Sequence, residues 1–191
     1  MEYLHTQRVA LRPYTPEDIP RIHAWFNDPE VTHYMFTGQK PTTLEQVTSL
    51  MKHDVEEGNV VMIAVNKEDD AVIGLVGLYE IHPTANKAEM RIIIGEKQYW
   101  GKGYGSELTE VITFYGFDRL NLHRIYLGYT AANKAAAGAY TNAGYTHEGV
   151  LRDDIYRNSE YYDTVRMGLL RDEYYAHKYE EHKKKFSIQK V

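Results

Sequence analysis

The sequence predicts an α/β (α+β) domain, a mixed and mostly antiparallel central sheet with helices on both faces. Three observations carry this. Three strand-like runs follow one another, Val60 to Val65, Ala71 to Ile81 and Lys87 to Gly95, in the manner of an antiparallel meander. The third run leads through a glycine-rich loop into an amphipathic helix, Glu107 to about Arg119. A strand–helix return follows, Arg124 to Tyr129 and then Asn133 to Ala143, before two closing strands around His147 to Arg157 and Glu160 to Leu170. Strands first, then a strand–helix–strand return, call for helices on both faces of one sheet.

The remaining elements fit that frame. Val9 to Pro13 reads as a short strand ended by proline. Thr15-Pro16-Glu17-Asp18 reads as an N-cap, a proline in the first turn and acids where the helix dipole favours them, opening a helix to about Asn27. Pro29 to Thr37 is an aromatic-rich helical or looped piece, and Thr42-Thr43-Leu44-Glu45-Gln46 opens a helix closed by Gly58. We expect one domain over 1–176 and a charged, exposed C-terminal helix or tail over 177–191.

Composition narrows the function. A chain of 191 residues can bury a sizeable core. With no cysteine, disulfides, thiolate catalysis and cysteine metal sites are excluded. His177 and His182 are off the i, i+4 ligand spacing and no H-E-x-x-H occurs, so no metal is expected. No apolar run approaches the ~18 residues of a membrane span. The N-terminus lacks the basic and apolar regions of a signal peptide, so a cytoplasmic protein is the expectation. Residues 177–191 hold five lysines and two glutamates, +3, so the rest carries −8 of the net −5. An acidic body disfavours nucleic-acid binding and mildly favours a cationic partner such as an amine.

The most informative stretch is Gln98-Tyr99-Trp100-Gly101-Lys102-Gly103-Tyr104-Gly105-Ser106. Alternate glycines leave backbone N–H groups free to close around an anion, and the next helix points its positive end the same way. The simplest ligand is a phosphate or pyrophosphate; the plain alternative is a tight turn that only packs a strand on a helix. A Walker loop fails by spacing, because Gly95 stands one residue too early for Gly101-Lys102 and Gly103 takes the Ser/Thr place. The dinucleotide fingerprint fails because Ser106 stands at its third glycine.

Gln98, Gly101 and Gly103 match instead the pattern Q/R-x-x-G-x-G/A between a strand and a helix, extended by Gly105-Ser106. With Leu11-Arg12-Pro13, Ala88-Glu89, Asn133 to Tyr145 and Tyr161-Tyr162-Asp163 to Leu170, in order over nearly the whole chain, the sequence resembles the GCN5-related N-acetyltransferase (GNAT) superfamily. Within it, the match is to the branch of ribosomal-protein and spermidine acetyltransferases. The resemblance implies two central parallel strands, Met90 to Gly95 and Ile125 to Tyr129, splayed into a V that holds acetyl-coenzyme A. It implies cofactor contacts from Gln98, Gly101, Lys102, Gly103, Tyr104, Gly105 and Ser106, from the strand edge Ile92, Ile93 and Ile94, and from Asn133. An amide near Ile93 would polarise the acetyl carbonyl.

Tyr140 lies two turns into the Asn133 helix, and on spacing alone it reads as a core aromatic. The resemblance makes it the acid that protonates the departing coenzyme A sulfur. Glu89 is the candidate base for the amine, with Glu80 and His82 as alternates, against the plain reading of an edge carboxylate paired with Arg91 or a lysine. Trp25, Tyr34, Phe36, Glu80, Tyr156 and Tyr162 are candidates for the acceptor pocket. The expected reaction is direct attack of a primary amine on acetyl-coenzyme A. The branch favours a protein N-terminus or a polyamine as acceptor, with an amino sugar or aminoglycoside as alternatives. A non-catalytic acetyl-coenzyme A sensor is the rival from another class. The expected partners are a small-molecule or peptide amine and, from the family, a homodimeric copy, with neither nucleic acid nor membrane.

Overall fold

The computed structural model describes residues 3–188. One nine-stranded sheet runs through it. Two short strands, β1 (Leu4–His5) and β2 (Val9–Pro13), lead into helices α1 (Ile19–Asn27) and α2 (Leu44–Glu56). The meander β3 (Val60–Asn66), β4 (Val72–His82) and β5 (Lys87–Ile94) follows, then α3 (Tyr104–Asp118), β6 (Arg124–Thr130) and α4 (Lys134–Asn142). The hairpin β7 (Thr146–Arg157) and β8 (Glu160–Leu170) precedes α5 (Arg171–His177), α6 (Tyr179–Lys185) and β9 (Ser187–Ile188). The spatial order is β7-β8-β6-β5-β4-β3-β2-β1-β9, and every pairing is antiparallel except β5 with β6. The mixed sheet read from the sequence is present.

Side chains alternate across the sheet and build two cores. Ala88 and Met90 of β5, with Ile125 and Leu127 of β6, pack under α3, where Leu108, Ile112 and Phe117 are fully buried. On the other face Leu75 of β4 and Ile63 of β3 pack against Ile22 and Trp25 of α1 and Met51 of α2. α2 starts as the sequence predicts: the Thr43 side chain accepts from the Gln46 amide, and Gln46 reaches back to the Thr43 amide. α1 differs. Thr15 opens only a short 3₁₀ turn, and the helix begins at Ile19, because buried Asp18 bonds the Thr15 amide at 2.8 Å and the Arg12 guanidinium through both oxygens.

The C-terminal segment corrects an expectation. Residues 177–185 do not stand off as an exposed helix. Tyr174, His182 and Phe186 are buried, with Phe114 of α3 6.0 Å from the Phe186 ring and Phe117 4.7 Å from Tyr174. Lys185 pairs with Glu110 of α3, and β9 joins the sheet beside β1. The lysines face water while the apolar stripe is spent on α3. The last three residues of the expected tail, 189–191, lie outside the described residues.

Trp25 seals the junction between α1 and the end of β5. A Cβ on Gly95 would lie 2.0 Å from the Trp25 ring, and the indole N–H donates to Glu96 at 3.1 Å. We therefore expect Gly95→Ala to destabilise the fold by about 2–3 kcal/mol, the range of an overpacked core. A fall in denaturant midpoint of that size is the check, and an unchanged midpoint contradicts the packing described.

Candidate functional site

The glycine loop carries the expected local geometry. Gly101 and Gly103 have φ of +70° and +83°, a region that favours glycine, and Gly103 caps α3. A Cβ at Gly101 or Gly105 would meet nothing within 4 Å, so these glycines serve backbone shape and an open approach rather than packing against the protein. The helix starts at Tyr104, earlier than the sequence reading, so Tyr104, Gly105 and Ser106 are its first-turn amides, which have no intrahelical acceptor. The Tyr104 side chain turns inward and its hydroxyl donates to Asn66 at 3.2 Å, leaving only its backbone for a ligand. Gln98 and Lys102 are exposed.

One residue far upstream holds this loop. Arg8 donates through Nη1 to the Lys102 carbonyl at 2.8 Å and through Nε to Glu107 at 2.7 Å, and its guanidinium lies 4.3 Å from the Tyr104 ring centroid. Burial works against the Glu107 carboxylate, but hydrogen bonds from Thr6 and Arg8 outweigh it and hold the carboxyl below its usual value. No local pattern marks Arg8, because the contact spans 99 residues.

β5 and β6 pair only over Lys87–Glu89 and Arg124–Tyr126. Beyond Glu89 and Tyr126 they part, which is the predicted V. Backbone groups alternate sides along a strand. The Gly95 amide goes to Ile73 on the β4 side at 3.0 Å, whereas the Ile94 carbonyl takes the Trp100 indole N–H at 2.8 Å on the other. Ile94 and Ile92 therefore aim their amides into the V, Met90 faces β6 as the last donor of the β5–β6 ladder, and Ile93 gives its own amide to β4. Of the residues near Ile93, where the sequence reading put a carbonyl-polarising amide, Ile92 and Ile94 are the two that face the V.

Tyr140 sits on α4, 8% exposed, with the Tyr129 ring at 5.7 Å and the Tyr145 ring at 6.4 Å. Burial, and after it the neighbouring Tyr129, pushes its phenol well above the usual value, so it holds its proton at neutral pH. Tyr145 spends its hydroxyl on Thr113 at 2.8 Å. Asn133 is the N-cap of α4: its Oδ1 accepts from the Ala136 amide at 3.1 Å, which leaves the amide nitrogen for a ligand.

At the apex of the V lies an ionic network on the α1–α2 face. Glu89, 8% exposed, accepts from Arg91 Nε at 2.6 Å and pairs with Arg166 at 3.3 Å. Arg91 also donates to Glu80 at 2.8 Å, and the Tyr126 hydroxyl donates to the other Glu80 oxygen at 2.9 Å. Glu80 has φ +52°, in an irregular stretch of the β4–β5 ladder, and bulges of this kind re-aim side chains. An open cavity of about 370 Å³ borders Glu80, Glu89, Tyr126, Arg124, Glu148 and Arg166. The structure gives Glu89 the partner that the plain reading named and adds a second, so neither oxygen is bare.

The aromatic candidates divide. Tyr34 and Phe36 are exposed in the connector between α1 and α2, and Phe36 approaches Gly128 of β6 beside Arg166. Tyr156 and Tyr162 belong to the β7–β8 hairpin; Tyr156 is exposed against Tyr161, 4.9 Å between centroids, and the Tyr162 hydroxyl donates to Glu160 at 3.0 Å. Trp25 is a correction: at 4% exposure, fixed on Gly95 and Glu96, it is a core residue and does not face an acceptor. Among the described residues no group of His, Asp and Glu is arranged to hold a metal, and no helix is long and apolar enough to cross a membrane.

Residues 8–146 match the family model described as an acetyltransferase (GNAT) domain. The chain belongs to the GNAT acetyltransferase family. It is 32% identical over 177 residues to the spermidine N(1)-acetyltransferase of Escherichia coli strain K12, covering 92% of this chain and 90% of that one. It is 37% identical over 131 residues to the uncharacterised N-acetyltransferase p20 of Bacillus licheniformis, covering 65% of this chain and 71% of that one. The crystal structure of Vibrio cholerae spermidine N-acetyltransferase in complex with CoA and spermine superposes with a TM-score of 0.80 at 29% identity, covering 88% of this chain and 98% of that one. The protein is an N-acetyltransferase of a family whose members use acetyl-coenzyme A, as the sequence reading held.

Two predictions follow from the site. Tyr140→Phe should cut turnover about a hundredfold or more, the low end for a lost general acid, while acetyl-coenzyme A affinity stays within a few-fold. Unchanged turnover removes Tyr140 from the reaction. Second, Glu107 has a folded-state carboxyl below its reference value of 4.5, so its contribution is present above that value and is lost as pH falls through the lowered one. Melting midpoints from pH ~6 to ~3 should fall less steeply for Glu107→Gln than for the parent, and parallel curves contradict the clamp.

Proposed function

We propose that this protein transfers the acetyl group of acetyl-coenzyme A to a primary amine by direct attack, with both substrates held in the V between β5 and β6. The observation that carries the reading is the parting of those strands directly between the glycine loop and Tyr140. The loop fits a pyrophosphate: two positive-φ glycines, open space at Gly101 and Gly105, and the bare first turn of α3 converge there. The amides of Ile92 and Ile94 and the Asn133 amide nitrogen suit an amide-rich arm lying along the V. When bound, acetyl-coenzyme A supplies an acyl group already activated as a thioester.

The protein's own part is placement and proton handling. Holding the amine against the V supplies the orientation that makes direct attack fast. Amides aimed into the V from Ile92 and Ile94 stabilise negative charge developing on the acyl oxygen. Tyr140 keeps a proton ready for the sulfur. With no cysteine in the chain, an acyl-cysteine relay is ruled out. The acceptor amine enters on the α1–α2 face, where Glu80 and Glu89 offer negative charge to an ammonium. The spermidine enzymes among the relatives bring a polyamine forward as the first acceptor to test, with a protein N-terminus second.

The deciding measurement is free thiol released from acetyl-coenzyme A with spermidine, spermine, N-terminal peptides, amino sugars and aminoglycosides. Release with one class establishes the reaction and names the acceptor. No release from any amine, with no thermal shift by acetyl-coenzyme A, overturns the reading.

A further inference from the structure

The connector between α1 and α2 brings Tyr34 and Phe36 over the β6 face, yet its central stretch, 33–37, has little packing of its own to keep it there. It is tied from far along the chain. Thr130 of β6 donates to the Tyr34 carbonyl at 2.8 Å, and the Asn158 amide meets His33 Nδ1 at 3.2 Å. The central tie is Arg157 at the end of β7. Its Nη2 donates to the carbonyl of Met35 at 3.0 Å and to that of Thr37. Arg157 is 8% exposed, pairs with no carboxylate among the described residues, and leaves its Nε buried without a partner. A buried cation satisfied only by carbonyls is a costly way to hold a loop. Exposed connectors do not need one for stability.

What the tie positions is the wall nearest the apex of the V. Phe36 is 44% exposed and meets the bare backbone of Gly128, where a Cβ would stand 3.4 Å from the Phe36 ring and 2.9 Å from Arg166 Nη1. Arg166 in turn reaches Glu89 at 3.3 Å. The connector, Gly128, Arg166 and Glu89 thus follow one another along this wall, starting from the Arg157 tie. None of it touches the glycine loop or α4.

We propose that Arg157 is a positioning residue for the acceptor: it latches the 33–37 connector against the β7–β8 hairpin, and so sets the aromatic wall that the incoming amine passes. The inference rests on the direct-attack reading above for which substrate is affected. The latch itself is a property of the fold. Lysine can donate to both carbonyls without the planar fork, whereas methionine fills similar space and donates nothing.

The test compares the parent with Arg157→Met and Arg157→Lys in thiol-release kinetics, using whichever amine the parent acetylates, together with hydrogen exchange of the free proteins. We expect Arg157→Met to raise the acceptor KM about tenfold or more, roughly the loss of one charge-assisted hydrogen bond to a well-placed group. The acetyl-coenzyme A KM should stay within about twofold, and Arg157→Lys should recover most of the loss. Exchange at 33–37 should quicken in Arg157→Met while that of 101–106 is unchanged. Equal rises in both KM values, or a lower melting temperature with no KM split, overturn the proposal. If no amine is turned over by the parent, the transferase reading fails separately and the exchange data alone decide the latch: faster exchange confined to 33–37 supports it, and unchanged exchange there sinks it.

Discussion

The rest of this structure depends on one break in the sheet. β5 and β6 share only three paired positions before they separate at Glu89 and Tyr126. A strand that leaves its neighbour strands backbone donors and acceptors, at about 1–3 kcal/mol for each one buried without a partner. Something must hold the strands apart and something must fill the gap. The two cores do the first. α3 is packed on β5 from one face, while Trp25 wedges against Gly95 on the other. At the open end the Trp100 indole satisfies the Ile94 carbonyl. The amides past the last ladder bond, Ile92 and Ile94, are left for a ligand that can pair like a strand edge. The binding site is therefore a missing piece of sheet.

Charge is arranged around the same break with an economy of partners. Toward the α3 face, the loop offers amides and a helix N-terminus, with Arg8 neutralised by Glu107 so that its guanidinium orders the loop through the Lys102 carbonyl. Toward the α1–α2 face, carboxylates and guanidiniums alternate: Glu80 with Arg91, Glu89 with Arg91 and Arg166, Glu148 with Arg124. The first face suits an anion and the second an ammonium that can exchange places with an arginine. Glu80 is the most solvent-reaching of these acids near the apex, with 61% of its side chain exposed against 11% for Glu89. The cavity thus presents an outer acid that an amine meets first and an inner one that is already engaged.

How far the sequence foretold this follows from the range of each signal. The glycine loop and the Asn133–Tyr140 spacing were legible because each is a local constraint, a φ sign or two turns of one helix. Trp25 was misplaced because its partner Gly95 lies 70 positions away and nothing local marks the wedge. Nothing local marks Arg157, since only the fold brings it under Met35 and Thr37. The C-terminal helix misled differently. Its lysine content spoke for solvent, but Tyr175, Tyr179, His182 and Phe186 recur at helical spacing, and that stripe was the signal for packing on α3. β1 and β9, two residues each, are too short to carry any period.

The apex carboxylate shows how position limits chemistry. A base needs a lone pair within reach of the proton it removes. Glu89 gives Oε2 to Arg91 and Oε1 to Arg166, the latter at 3.3 Å, so a proton from the amine competes with two guanidiniums for the lone pairs that remain. Removing either arginine leaves the buried charge less compensated, which is the expensive direction for an ion pair. Glu89 is thus better built as a fixed negative charge that draws and orients an ammonium than as a bare proton acceptor. Tyr126 offers no alternative: burial, and then its bond to Glu80, push its phenol up to about 12, so at neutral pH it donates. In the proposed reaction Tyr140 is the firm donor on the leaving-group side, and the arginine-paired carboxylates face the amine. The amine's proton then has two routes, a remaining lone pair of Glu89 Oε1 or solvent reaching the open cavity.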